Sequence, residues 1–185
     1  EMLKLAKKSG CVGVFIGFDS ISNQALKNFN KIINNADLYK KSISNIRKNG
    51  IMIQGSFIFG NDSDTNNIFK NTLKFILDSK IDAVFLGIST PLPSTKFYSK
   101  MKAENRIADF NWENYDYRHC VIKPLNMTCE EILSGIIYIH SQFFRPDRMI
   151  LRFLRTFIIL IKRRSFFWLL SYNLGFLSRI RMFRK

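Results

Sequence analysis

An α/β fold, with three parallel β/α units followed by a basic helical extension, is what this sequence predicts, and three observations carry it. Apolar runs of strand length begin near residues 12, 51 and 83. Segments with helical spacing of apolar residues separate them, which implies parallel strands joined by right-handed crossovers. The runs are apolar on both faces, as strands buried within a parallel sheet are. Three such units make neither a closed barrel nor an open sheet with two covered edges, so further strands are expected upstream.

Residues 2–8 read as the end of a helix, stopped by Ser9-Gly10 where a C-terminal glycine belongs. The first strand covers about Val12–Phe18, and Ser20 or Ser22 caps a short helix ending near Asn28. Ala36, Tyr39, Ile43 and Ile46 mark the inner face of the next helix, which ends at Asn49-Gly50. The second strand follows at Ile51, and Asp62 or Asp64 is the expected N-cap of a helix through Asp78 with Phe69, Leu73 and Ile76 inside. After the third strand, from Ala83, Pro91-Leu-Pro93 forbids regular pairing, and Thr95 caps a helix to about Asn105. Residues 106–127 are irregular and aromatic. Thr128 and Glu131 form a capping-box pattern for a helix to about Phe144. Pro146 breaks that helix, and basic helical sequence interrupted near Asn173-Leu-Gly175 completes the chain. The expected division is 1–105 for the β/α units, 106–127 for a connector and 128–185 for the extension.

Charge is uneven. The net charge is +15 over 185 residues, but residues 148–185 hold ten basic residues and no acid. Cys11, Cys120 and Cys129 are too few and too scattered for a disulfide framework, which points to buried thiols in a reducing cytoplasm. None of their spacings is a tight metal-ligand pattern, so no metal site is expected in this chain. The start, Glu1-Met-Leu-Lys-Leu-Ala-Lys-Lys, is a charged amphipathic opening rather than a secretion signal, and it reads as cut from something longer.

If the strands are parallel neighbours, Asp19 and Ser20, Asn61 and Asp62, and Ser89 and Thr90 converge on one rim. Gly17, Gly60 and Gly87 would permit close approach of a ligand there. The same residue types also serve as ordinary helix caps, and both readings stand at this point. No phosphate-binding glycine loop is present, and neither His119 nor His140 neighbours an obvious nucleophile.

Gly10-Cys-Val-Gly-Val-Phe-Ile-Gly-Phe-Asp-Ser20, followed by Leu26 and Asn30-Lys31, resembles a strand segment of the radical S-adenosylmethionine enzymes, closest to the branch that carries a cobalamin-binding domain. Gly55-Ser-Phe-Ile-Phe-Gly60 is similar to that family's next strand, and Thr90-Pro-Leu-Pro-Ser-Thr95 to its Pro-x-Pro-Gly-Thr loop. Glu104–Ile107, Trp112, Tyr115-Asp116, His119, Pro124 and Met127-Thr128 resemble the family's sequence beyond that loop. The resemblance covers about residues 1–146. It implies the carboxyl-terminal half of a partial, six-stranded (β/α)6 TIM-like barrel, with an α-helical extension.

By the same resemblance, the cofactors are S-adenosylmethionine, a 4Fe-4S cluster whose Cys-x-x-x-Cys-x-x-Cys ligands lie outside this chain, and cobalamin on a domain also outside it. The chemistry implied is that of the 5′-deoxyadenosyl radical. Asp19 and Ser20 would face S-adenosylmethionine, with Gly60, Ser89 and Thr90 flanking its nucleoside end; no catalytic residue is assigned. Asp19 stands where the family has Glu, and Ser94 where it has Gly. The implied partners are the amino-terminal part of the same enzyme and a small-molecule or lipid-like substrate. Without the cluster ligands, the chain alone is expected to be inactive.

The tail allows two readings. Arg148, Arg152, Arg155 and Lys162 form one cationic stripe of a helix otherwise rich in Phe, Ile and Leu. It either lies on an anionic membrane surface, peripheral to the cytoplasm, or packs its apolar face on the barrel with its arginines in solvent. A non-catalytic remnant binding a membrane or partner through these helices is the alternative function. No nucleic-acid partner is expected, since no binding module accompanies the charge.

Overall fold

In a computed structural model, described for residues 1–31 and 34–161 (without the side chains of 156–161), the three strands form one parallel sheet in the order β1-β2-β3. They are β1 (Gly13–Asp19), β2 (Met52–Phe59) and β3 (Ala83–Ile88). The helices are α1 (Met2–Lys8), α2 (Asn23–Asn28), α3 (Ala36–Lys48), α4 (Asn67–Asp78), α5 (Lys96–Ala103), α6 (Cys129–Phe143) and α7 (Pro146–Ile161). The alternation and parallel pairing expected from the sequence are present. The sheet of the described residues is open, as part of an α/β barrel would be.

The register pairs Gly17 with Ser56 and Ser56 with Phe85, so residues on alternate positions share a face across all three strands. One face carries Ile16, Phe18, Ile53, Phe57, Phe59, Val84, Leu86 and Ile88. It packs with Tyr39 and Ile43 of α3, Phe69, Leu73 and Ile76 of α4, and Ile132, Ile136 and Ile139 of α6 in a single core. Phe18 stacks on Phe57 at 5.4 Å and meets the Tyr39 ring edge-on at 4.8 Å. The opposite face carries Phe15, Gly17, Gln54, Ser56, Ile58, Phe85 and Gly87, and Phe15 is 62% exposed.

Most local signals behave as expected. Ser22, Thr95 and Thr128 cap their helices through side-chain oxygens, and Glu131 completes the capping box at Thr128. Gly10 and Gly50 take positive φ just after α1 and α3. The start of α4 differs. Its N-cap is Asn66, not Asp62 or Asp64, because both carboxylates are drawn into other bonds. Asp64 turns inward to accept from the amides of Gly60 and Asn61, and Asp62 pairs with Arg106 through two bonds.

The cysteine reading is corrected too. Cys120 and Cys129 are joined in a disulfide, their Cα atoms 5.7 Å apart. The connector doubles back through an antiparallel bridge between Ile107 and Ile122 and returns the chain to the first residue of α6. A spacing that looked scattered is therefore close in space. Cys11 lies outside any disulfide, and its thiol donates to the Gly13 carbonyl at 3.4 Å.

The arginines of the stripe are engaged by the protein rather than left in solvent. Arg152 is buried, its guanidinium 3.7 Å from the centre of the Phe143 ring and bonded to the Phe143 carbonyl. Arg148 donates to the Gln142 carbonyl, and Arg155 reaches Asp82. Ile150, Leu151 and Leu154 are large apolar residues of α7 that stand exposed. Lys162, the Lys162–Arg164 run and the interruption near Asn173 lie outside the described residues.

Candidate functional site at the carboxyl rim of the sheet

β1 ends in a register shift between Gly17 and Asp19, where Asp19 takes φ +60. A carboxylate residue tolerates this left-handed conformation better than most because its short side chain bonds locally. The turn lifts the Asp19 side chain over Gly17. Asp19 Oδ2 receives Lys31 Nζ at 3.3 Å and Asn34 Nδ2 at 3.5 Å. Asn34 also donates to the Gly17 carbonyl. The Lys31 side chain is half-exposed, and ion pairs of this surface kind contribute roughly 0–1 kcal/mol, so an incoming ligand cation can replace it.

Gly17 supplies the room. A Cβ built there meets only Asp19, at 3.6 Å from Oδ1 and 3.9 Å from Oδ2. The space over this glycine is thus bounded by a carboxylate and otherwise open, a cradle for an ammonium or a hydroxyl group. Beneath it, the Tyr39 hydroxyl donates to the Phe18 carbonyl. Burial, with the nearby Asp19 charge adding to it, pushes the Tyr39 pKa up to about 12 and keeps the phenol neutral.

The other predicted residues lie on the same rim with different surroundings. Ser20 is buried, and its hydroxyl accepts from the Ser22 amide. Gly60 takes φ +90, and a Cβ there would come within 3.1 Å of Ile132 on α6, so its surroundings are those of a helix contact. Ser89 is adjacent: its amide donates to the Phe59 carbonyl. The Thr90 hydroxyl donates to the Ile88 carbonyl. Gly60 and Ser89 are brought together at the β2–β3 end, while Asp19 stands with Gly17, Lys31 and Asn34 at the β1 end.

Between these ends the loop after β2 is held by buried polar bonds. Asn61 accepts from Asn28 of α2 at 2.8 Å and donates to the Ala25 carbonyl. Arg106 holds Asp62 well below the usual carboxylate range, and Lys100 adds to that pairing. Asp64 has the opposite fate: burial raises its pKa to about 6, although two amides bond its Oδ2, and its Oδ1 has no partner among the described residues. The sequence reading assigned Asp64 to a helix end. Its position four residues beyond Gly60 was the available signal for a carboxyl folding back on the strand end. Ser94 takes φ +63, the region that favours the glycine for which it substitutes in the Pro-x-Pro-Ser-Thr loop.

Among the described residues, no group of three His, Cys, Asp or Glu side chains is placed to hold a metal ion. With Cys120 and Cys129 paired to each other, the side chains present do not fit an iron–sulfur cluster. The Asp19–Gly17 cradle does fit the polar groups of a nucleoside or an amino acid.

An open parallel sheet with a polar carboxyl rim places the chain among α/β proteins. No family model matches the chain. Curated relatives narrow the class. The chain is 34% identical over 152 residues to the bacteriochlorophyllide d C-12(1)-methyltransferase of Chlorobaculum tepidum, covering 82% of this chain and 33% of that protein. It is 34% identical over 116 residues to the C-8(2)-methyltransferase of the same organism, covering 62% and 26%. It is 26% identical over 144 residues to the anaerobic magnesium-protoporphyrin IX monomethyl ester cyclase of Cereibacter sphaeroides, covering 78% and 23%. The chain spans a third or less of the length of these relatives. Its homologues are radical S-adenosylmethionine proteins, and the chain belongs with them to that superfamily.

Proposed function

We propose that this chain forms the carboxyl-terminal part of the catalytic barrel of a radical S-adenosylmethionine enzyme that transfers a methyl group to a large apolar substrate. The observation that carries the proposal is the pairing of the Asp19–Gly17 cradle with the apolar sheet face beside it. Phe15 and Phe85 stand exposed on that face. Exposed aromatic surface of this kind marks a surface meant to be covered, by a ligand or by further chain. Relatives named as methyltransferases acting on bacteriochlorophyllides, and a cyclase acting on a protoporphyrin ester, favour a large apolar substrate.

Bound S-adenosylmethionine would supply the methyl group or the 5′-deoxyadenosyl radical. In this reading Asp19 accepts from its ammonium or ribose hydroxyl, displacing Lys31, and Gly17 leaves the room for that approach. Ser20, Gly60, Ser89 and Thr90 shape the rest of the rim, while Phe15 and Phe85 exclude water beside the reacting atoms. The cluster ligands and a cobalamin domain belong to sequence upstream of this chain. The division into 1–105, 106–127 and 128–185, and a cytoplasmic setting, are part of the same proposal. No helix among the described residues is long and apolar enough to cross a membrane.

The test uses the enzyme assembled with its upstream segment, reconstituted anaerobically, and follows 5′-deoxyadenosine and methylated product. Asp19→Ala, by removing one charge-assisted contact, and Gly17→Leu, by filling the space over the glycine, should each raise the S-adenosylmethionine concentration needed for half-maximal rate about tenfold or more. Unchanged dependence on S-adenosylmethionine in both variants would remove the cradle from the site. A second reading, a non-catalytic protein that docks on a membrane or partner, is favoured by the exposed Ile150, Leu151 and Leu154 on α7. Full turnover by an assembled enzyme would decide against it.

A further inference from the structure

We propose that the opposite, amino-terminal end of the sheet carries an anion-binding cleft that takes a phosphate-bearing polyanion of the diphosphate type. A cavity of about 570 Å³ opens between the last turn of α3, the loop after α4 and helix α7. Its walls hold five cationic side chains: Lys40, Arg47, Lys48, Lys80 and Arg155. The carboxylate in those walls, Asp78, is paired with Lys74 outside the cleft. Arg47 and Arg155 share a single carboxylate, Asp82, so the five cations leave the cleft with an excess of positive charge that an entering anion relieves.

Two of the cations are fixed in place. Asp82 is buried at the start of β3 and receives Arg47 at 2.8 Å, the Ile53 amide at 3.0 Å and Arg155 at 3.4 Å. Both guanidiniums also donate to the Lys80 carbonyl, at 2.6 and 3.3 Å. One carboxylate thus positions two guanidiniums, and planar forks held in this way suit the oxygens of phosphate groups. Arg155 Nε and Ser79 Oγ, both in the cleft residues, have no hydrogen-bond partner among the described residues. Burial lowers the Arg155 pKa, and the neighbouring Arg47 charge adds to that, while its pairing with Asp82 works the other way. At the bottom end of β/α units, charged groups ordinarily serve stability alone. A cavity and an excess of cations, two of them guanidiniums held in fixed positions, together go beyond that role.

The phosphate could belong to a soluble molecule or to a lipid headgroup, and one set of measurements separates the two. Titration calorimetry of the protein with inorganic pyrophosphate should show saturable binding. Arg155→Gln should weaken it about tenfold, the loss of a charge-assisted bond. Because Arg155 also braces Asp82, the exposed pair Lys48→Gln/Lys80→Gln provides a variant that leaves the buried network intact and should weaken binding similarly. Lys4→Gln/Lys8→Gln on α1 removes the same charge elsewhere and should change nothing. Flotation with phosphatidylglycerol vesicles that pyrophosphate competes away, and that the Lys48/Lys80 variant weakens, assigns the cleft to headgroups. Saturable pyrophosphate binding with flotation indifferent to that variant assigns it to a soluble phosphate. Absence of saturable pyrophosphate binding, or equal weakening by the α1 control, overturns the proposal.

Discussion

Asp64 shows how one carboxyl can be read correctly as polar and wrongly as to role. It sits after a strand and before a helix, where helix capping is the ordinary expectation. Instead the chain turns it inward beneath Gly60, into surroundings that raise its pKa to about 6. A carboxyl whose folded pKa is raised contributes stability below about pH 4, and that contribution is lost as pH rises through 6. The amount is of order 3 kcal/mol for a shift of this size. His140 runs the other way: burial lowers it to about 4, so its contribution is present above about pH 6.5 and lost as pH falls toward 4. The two oppose each other in the wild type, and substitution separates them. Denaturant titrations should find the stability of Asp64→Asn relative to wild type more favourable at pH 7 than at pH 4, by up to about 3 kcal/mol. The same difference at both pH values would mean that Asp64 titrates normally. Asp19 is the contrasting residue. Its sequence neighbours alone placed it at a strand end, but its register shift, positive φ and pairing with Lys31 and Asn34 depend on the loop beyond α2.

Among the elements, the helices were the most legible, because capping residues and apolar spacing are local signals. Thr128 with Glu131, Thr95 and Ser22 each set the helix start that their side-chain oxygens imply. What local signals omit is which helix meets which. The contact of α4 with α6 rests on Gly135, where an added Cβ would lie 2.4 Å from the Phe69 ring. No periodicity marks that glycine, since it is one small residue in an ordinary helical pattern. Gly135→Ala must push the helices apart or turn the Phe69 ring, an overpacking cost of roughly 1–3 kcal/mol. Thermal unfolding should show it as a lowered midpoint, and Phe69→Leu in the same chain should recover part of the loss. An unchanged midpoint in Gly135→Ala would mean that the two helices are not held at this distance. The inward arginines of α7 were hidden for a related reason. Spacing places Arg148, Arg152 and Arg155 on one stripe, but only the neighbouring Phe143 ring and Asp82 decide that Arg152 is buried and Arg155 paired.

For the whole molecule, the sheet has a covered face and an open one. The covered face closes a core with α3, α4 and α6, and the open face presents Phe15 and Phe85 beside the rim. Cys120 and Cys129 are consumed by their disulfide, which leaves Cys11 as the one thiol. Residues 1–185 incubated anaerobically with iron and sulfide should therefore give no stoichiometric cluster absorbance. The same treatment with the upstream segment present should give it. A stoichiometric cluster on residues 1–185 alone would show ligands that the described side chains do not offer. The sequence by itself determined the order of elements, the parallel strands, the caps at Ser22, Thr95 and Thr128 and the superfamily, because each rests on neighbouring residues or on ordered motifs. Only the tertiary structure decided the Cys120–Cys129 pairing, the inward turn of Asp64, the Asp19–Gly17 cradle and the cationic cleft around Asp82. Each of these joins residues from separate elements, and what fixes them is burial and charge across the fold rather than spacing along the chain.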